Sequence, residues 1–429
     1  MSAITCQTIG GPHGTVTEEQ LDQMLSRKLA EVPLDGKKVV LVIPDGTRSC
    51  PLPLLLRTAH RHLVDRAGEL TAVIALGTHS YMEPDEIARM VGATGDGGPE
   101  EQIAATYPRM PIINHEWADP DMLVRVGTIP ASRIAELSEG RLEKPADITI
   151  NRHVAESDYA IVIGPVFPHE VVGISGGNKY FIPGVASQEF IDMTHWVGAL
   201  ITSYSIIGTT GITPVRAMIN EGAALIPTTR LALCLVVKSG SGEIEAAAFG
   251  TAEDAWAASA AIAAETHVTY VEKPFQRVIS CMPTRYDDIW TAAKGFYKLE
   301  PAVADGGEVV IYAPHVTEVA ETHPEIYDIG YHCRDYFVKQ WDKFKDVPWG
   351  VLAHSTHLRG QGTYDAETGE EKLRLRVTLA TQIPREVCES INLGYLDPGE
   401  VDLEALAAEE GTVVIPNAGE ILYRMRPAD

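Results

Sequence analysis

Three residues able to do chemistry stand close together in the run Asn151 to Trp196: His169, Lys179 and His195. An imidazole titrates near neutrality and can give or take a proton at physiological pH. A lysine in an apolar, glycine-rich segment such as GISGGNKYFIPG suits covalent attachment when desolvation frees its amine. Gly173, Gly176 and Gly177 permit close backbone approach to a ligand, and successive N–H groups in such a loop can form an anion-binding nest. The segment is not a P-loop, since it lacks the GxxxxGK[ST] spacing and has Tyr180 where a magnesium-binding hydroxyl belongs. Upstream, KKVVLVIPDGTRSCP places a carboxylate, a hydroxyl and a guanidinium together at Asp45, Thr47 and Arg48, and LGTHS adds His79. Downstream, Lys294 follows Trp290 and Thr291, and a second polar group comprises Tyr331, His332, His354, His357 and Arg359. The HSTH run has an H-x-x-H spacing that points to metal, but it follows the strand-like WGVLA and lacks the glutamate of HExxH. A separate metal site, substrate contact and structural hydrogen bonding all remain open for it.

These groups need elements to position them. Tyr159 to Gly164 reads as a buried strand, and Gln188 to Trp196 has helical spacing. The hydrophobic run before Asp45 is a strand, and so is Thr71 to Leu76, followed by a turn at Gly77 to His79. A helix then opens near Glu83-Pro84, with Glu86 in its first turn. Ligands of open α/β sheets gather at the carboxyl ends of strands, which is where this pattern puts His169 and Lys179. Arg285 to His315 reads as an acidic cap, a helix, a Gly-Gly turn and a buried strand. Gln361 to Lys372 reads as a polar surface hairpin or loop. The alanine-rich helix Glu253 to Glu265 closes a first unit, so the expected organisation is two α/β domains, 1–268 and 275–429, with the cofactor cleft between them. The final strands in GTVVIPNAGEILYRM could return to either domain.

Together, DGTR at 45–48, GTH at 77–79, PHEVVGISGGNKYFIPG at 168–184 and the helical His195 resemble the nickel-pincer lactate racemase family, most strongly from Val39 to Arg216. The resemblance implies a nickel ion held by pyridinium-3,5-bisthiocarboxylic acid mononucleotide, joined covalently to Lys179, with His195 as the protein ligand to nickel. It implies His79 and His169 as acid and base, and Asp45, Thr47, Ser175, Gly176 and Gly177 as cofactor contacts. It also implies Arg48, Lys294, Trp290 and Thr291 as substrate contacts. The activity implied is racemisation or epimerisation of a 2-hydroxy acid. Trp290 and Thr291 stand where tyrosine and glutamine are usual in that family, so the expected substrate is a 2-hydroxy acid other than lactate.

Bulk properties agree with a soluble enzyme whose acidic surface repels carboxylates, so that a local positive cluster such as Arg48 with Lys294 is needed to bind one. The 429 residues carry 59 acidic and 35 basic side chains, a formal net charge of -24 that argues against a nucleic-acid partner. Six scattered cysteines without CxxC pairs read as reduced thiols. With no apolar run long enough to span a bilayer and no signal peptide, a cytoplasmic location is expected. The expected partners are the hydroxy acid and the enzymes that make the cofactor; the oligomeric state is not legible. Two alternatives stay open: a zinc-dependent hydrolase or lyase using His79, His169 and His195 as direct ligands, and a noncatalytic anion-binding homologue.

Overall fold

The computed structural model describes residues 4–47, 49–77 and 79–426; Arg48 and Thr78 lie outside the described residues. The fold is α/β, as the strand and helix alternation implies. The chain forms two compact units. The first holds residues 1–167, 174–191 and 216–266, and the second holds 168–173, 192–215 and 267–429. This differs from a contiguous division at 268/275 in that the segments bearing His169 and His195 pack with the later half of the chain. Such packing depends on contacts distant in sequence, which no local pattern reports.

The first unit is built on a seven-stranded sheet. Its strands are β1 (Gln7–Gly10), β2 (Lys38–Ile43), β3 (Glu69–Ile74), β4 (Ile112–Asn114), β5 (Tyr159–Pro165), β6 (Thr229–Val237) and β7 (Ile244–Thr251), in the order β1-β7-β6-β5-β2-β3-β4. Strands β6, β5, β2, β3 and β4 run parallel, while β7 is antiparallel to both β6 and β1. Val39 to Ile43 are buried on both faces, as a central parallel strand requires. From β2 the chain steps to β3 and β4 on one side, and later to β5 and β6 on the other. The β2/β5 border is therefore the topological switch point, where ligands of open α/β sheets bind. Asp45 follows β2 directly, and the glycine loop follows β5.

Helices α1 (Glu18–Ala30), α2 (Leu52–Leu63) and α3 (Pro84–Val91) cover this sheet with Leu21, Leu25, Leu55 and Ile87. Helix α3 begins as its sequence indicates, with Pro84 in the first turn and the Glu86 carboxylate accepting the Glu83 N–H at 2.9 Å. Helix α4 (Gln188–Ile201) carries His195, and α5 (Ala252–Thr266) is the alanine-rich helix.

The second unit has a five-stranded parallel sheet, ordered β11-β10-β9-β8-β12, from β8 (Phe275–Cys281), β9 (Val303–Ala313), β10 (Arg376–Thr381), β11 (Gly394–Tyr395) and β12 (Thr412–Ile415). Both C-terminal strands stay in this unit, for Leu422–Met425 pairs with Val268–Val271. Gln361 to Lys372 forms the expected hairpin, Gly362–Tyr364 against Glu371–Leu373.

Three local expectations are corrected here. Gly306-Gly307 is not a turn: β9 runs through it, and the register against β8 slips between Phe275 and Arg277, so the pair with Gly306 at φ 79° is a bulge. The helix expected before it is two short ones, α6 (Ile289–Ala292) and α7 (Lys294–Tyr297). WGVLA is not a strand, because α8 runs unbroken from Trp349 to Arg359 and places HSTH on a helix.

Candidate functional site

In the first unit His79 lies beyond the carboxyl end of β3, beside the residue that leaves β2. Its Nδ1 is 2.6 Å from Asp45 Oδ2, and the Asp45 carboxylate is only 7% exposed. The other carboxylate oxygen accepts the Thr47 N–H at 3.1 Å and the Thr47 hydroxyl at 2.6 Å. Backbone contacts fix the rest of the residue: the His79 N–H donates to Leu76 O, and Trp117 Nε1–H donates to His79 O. A carboxylate at Nδ1 holds the proton on that nitrogen and leaves Nε2 for transfer. Asp45 and Thr47 thus form the support of an imidazole, a role that the sequence pattern alone did not assign to them.

The glycine loop is pinned from below. Arg216, itself buried, donates to Ile174 O and, at 3.0 Å, to Gly176 O, while Trp256 Nε1–H donates to Ser175 O at 2.9 Å. The Ser175 hydroxyl accepts the Phe167 N–H at 3.1 Å. Asn178 is held by Asn220, Glu253 and Arg230 at 2.8–3.1 Å. These bonds fix the short 3-10 turn Gly177–Tyr180 and present Lys179, half-buried, from its middle. The fold itself also requires these glycines. Gly176 and Gly177 have φ of 88° and 58°, and an added Cβ would stand 2.5 Å from Val166 Cγ2 and 2.6 Å from Trp256 Cβ respectively. Gly177→Ala should therefore lower stability by about 1–3 kcal/mol from backbone conformation alone, with the Trp256 overlap adding to it. A urea titration with unchanged stability would show that the loop can relax.

In the second unit His169 is 6% exposed. Its Nδ1 accepts the Val171 N–H at 3.1 Å and lies 3.3 Å from Glu170 Oε2. The two contacts suit different charge states: the backbone N–H needs a lone pair on Nδ1, whereas Glu170 needs a proton there. A proton on Nδ1, facing Glu170, makes Nε2 the nitrogen that takes a proton, and Glu170 then stabilises the imidazolium. Glu170 is the residue sequence reasoning missed, although its position directly after His169 was a signal.

Lys294 is buried at the start of α7, with Nζ 3.3 Å from Thr291 O and 5.2 Å from the Tyr286 ring centroid. Thr291 spends its hydroxyl on Asp288, the cap of α6, at 2.8 Å, and its N–H on the same oxygen. Burial raises the Asp288 pKa above the usual carboxylate value. Trp290 lies between two imidazoles, with ring centroids 3.9 Å from both His323 and His354. The stack sits at the carboxyl ends of β8 and β9, which Trp290 and His323 respectively follow.

The downstream polar group divides. His332 stacks on Tyr336 and pairs with Glu371 at 2.8 Å, and Arg359 shares that carboxylate's field. His354 and His357 belong elsewhere, one turn apart on α8. Burial, then the charges of His357, His323, Lys294 and His195, holds the His354 pKa well below its usual value. Burial brings His357 down to about 4, with Glu170 opposing and His195 adding to the fall. The charge of His195, half-buried on α4, thus acts on both.

Among the described residues no three His, Cys, Asp or Glu side chains are placed to hold a metal ion by themselves. No helix among them is long and apolar enough to cross a membrane.

Residues 12–207 match the lactate racemase N-terminal domain model. A lactate racemase of Thermoanaerobacterium thermosaccharolyticum is 28% identical over 316 residues, covering 72% of this chain and 66% of that protein. Another, of Lactiplantibacillus plantarum, is 27% identical over 183 residues, which are 42% of this chain and 37% of that one. The aligned segments thus span less than two thirds of the length of either relative. A crystal structure of a Thermotoga maritima protein superposes with a TM-score of 0.87 at 33% identity, over 97% of this chain and all of that one. The lactate racemase apoprotein of T. thermosaccharolyticum superposes over the same shares with a TM-score of 0.66 at 19% identity, a likeness of fold.

Proposed function

The chain belongs to the lactate racemase family, and we propose that it is an isomerase that inverts the configuration at C2 of a 2-hydroxy carboxylic acid. The observation that carries this reading is a pair of imidazoles, His79 and His169, each with a carboxylate beside its Nδ1: Asp45 at 2.6 Å and Glu170 at 3.3 Å. Inversion through a 2-keto acid requires the hydroxyl proton to leave and return, and the C2 hydrogen to leave one face and return to the other. One base cannot serve both enantiomers conveniently. Two imidazoles can exchange the roles of base and acid, each transfer contributing roughly 100- to 10,000-fold.

The nickel-pincer nucleotide implied by the sequence resemblance fits the donor set. Lys179 is held on a rigid turn suited to covalent attachment, and His195 offers an imidazole to nickel. Most donors to the metal would come from the nucleotide. When bound, that group supplies an electrophilic carbon able to take and return the C2 hydrogen with its electron pair. The chain's own residues bind and orient the substrate. Lys294 provides a point charge for the carboxylate, and Arg48 is assigned the bidentate contact that a guanidinium makes best. Trp290 acts on the site through the imidazoles of His323 and His354 that stack on it, and Thr291 acts on Lys294 through its carbonyl while its hydroxyl donates to Asp288, the cap of α6.

Substrate labelled with deuterium at C2 tests the reading. Loaded enzyme should invert it in ordinary water with the label retained at C2 in the first turnovers. Rapid loss of the label to solvent in every conversion would replace this mechanism by proton abstraction from carbon.

A further inference from the structure

Strand β4 ends in Asn114 and is followed by His115, Glu116 and Trp117, a run to which the proposed reaction gives no part. Yet its side chains reach both of the segments in the first unit on which that reaction depends. Toward the segment that carries His79, the Asn114 amide pairs with the Met82 backbone: Oδ1 accepts the Met82 N–H at 3.2 Å, and Nδ2 donates to Met82 O at 2.9 Å. Trp117 Nε1–H donates to the carbonyl of His79 itself at 3.1 Å. Toward the segment that follows Lys179, His115 Nε2–H donates to Ala186 O at 3.0 Å. Three successive carbonyls there are held by three different elements, for the Gly77 N–H donates to Gly184 O and the Asn151 N–H to Val185 O. The Gly184 N–H in turn donates to Lys179 O at 3.0 Å, which closes the path to the attachment turn.

His115 is fully buried, and both of its nitrogens are used. A carbonyl opposite Nε2 requires the proton there, so Nδ1 has the lone pair that accepts the Asn151 Nδ2–H at 3.2 Å. Burial lowers its pKa to about 4, and the ring therefore stays neutral near pH 7 and carries no proton for the reaction. An apolar side chain would fill the same place with no hydrogen bonds to satisfy. A fully satisfied buried polar network, by contrast, admits one arrangement of the segments it joins.

We propose that Asn114, His115 and Trp117 form one positioning unit, which holds the His79 imidazole in register with the Lys179 turn. They act through the backbone of residues 79–82 and 184–186. The inference rests on the roles given to His79 and Lys179 above, and goes beyond them by naming what keeps the proton carrier and the attachment point at a set distance. That distance matters because a misplacement of about 1 Å can lower a rate roughly 100-fold.

The test compares cofactor-loaded wild type, His115→Phe, His115→Gln and Trp117→Phe on the 2-hydroxy acid that the wild type inverts best. His115→Phe keeps the ring's bulk and removes both hydrogen bonds. It should lower kcat about 100-fold with KM within about threefold, and keep both the shape of the pH profile and the added mass on Lys179. His115→Gln retains a donor for Ala186 O and should recover about tenfold of that loss. Trp117 is only half-buried, so Trp117→Phe decides the question if His115→Phe does not fold, and its kcat should fall about tenfold. Hydrogen exchange in the unloaded proteins gives a readout apart from activity. The Gly77 amide should exchange at least about tenfold faster in His115→Phe, while Val40 to Val42 of β2 keep their wild-type rates. A histidine that only stabilises the core would speed exchange in β2 as well, or lower the melting temperature with kcat unchanged, and either result overturns the proposal. So does a raised KM with kcat intact, or a wild-type kcat in Trp117→Phe. Failure of loaded wild type to invert any 2-hydroxy acid overturns the underlying reading instead, and the exchange rates, which need no substrate, tell the two failures apart.

Discussion

Lys179→Ala should yield a folded protein whose mass is that of the polypeptide alone, and whose inversion of 2-hydroxy acids falls to the uncatalysed background. The expectation follows from how the residue is held. Asn178 on one side is bonded to Asn220, Glu253 and Arg230, and the ring of Tyr180 on the other lies against Gly164, where an added Cβ would come within 2.2 Å of its hydroxyl. These contacts hold the turn on either side of the lysine, so alanine should leave the loop in place. Wild-type protein produced together with the cofactor-synthesis enzymes should carry added mass on the Lys179 peptide. A fully active preparation with an unmodified Lys179 would remove the covalent model. His195→Ala separates the two attachments: the adduct on Lys179 should persist while nickel retention falls, because a first-coordination ligand has been lost and the rest of the site has not.

How much of this was legible in the sequence depends on how far apart the cooperating residues lie. Asp45, His79 and Lys179 were found because each follows a strand whose apolar run is unmistakable, and parallel strands deliver their carboxyl ends to one edge. The partners of those residues were harder. Glu170 was overlooked beside His169, since an exposed-looking acidic neighbour gives no periodic signal. Ser203 and His357 are 154 residues apart, and no local pattern joins them. Helix α8 was misread for a definite reason: Val351 to Arg359 are all buried, so the segment has no polar face and shows no period of 3.6. Its ends were readable nonetheless, with Pro348 just before the helix and Gly360, at φ 76°, just after it. The same helix explains why five polar residues that look like one cluster serve two places. His354 and His357 share a face, while Arg359 projects to the side of Glu371.

The proton carriers permit the second large prediction. His79→Ala and His169→Ala should each lower kcat by roughly 100- to 10,000-fold, the usual contribution of a positioned acid or base. The loss must appear in both directions, because each imidazole is base for one enantiomer and acid for the other, and the equilibrium between enantiomers is not the enzyme's to change. The carboxylate partners should act differently. Asp45 is 7% exposed and bonded to His79 Nδ1, so Asp45→Asn keeps the shape and alters the electrostatics. An amide can no longer stabilise the imidazolium, and its N–H can turn the ring to the other tautomer. We expect about a 10- to 100-fold fall in kcat with KM little changed, and a shifted acidic limb in the pH profile. Glu170→Gln should resemble it but act more weakly, since Glu170 stands 3.3 Å from His169 Nδ1 where Asp45 stands 2.6 Å from His79 Nδ1. If Asp45→Asn raised KM while leaving kcat intact, Asp45 would be a binding group instead, and the orienting role assigned to it would fail. If His79→Ala kept kcat within about threefold of wild type, one imidazole would suffice for both enantiomers, and the two-base mechanism would fall with it.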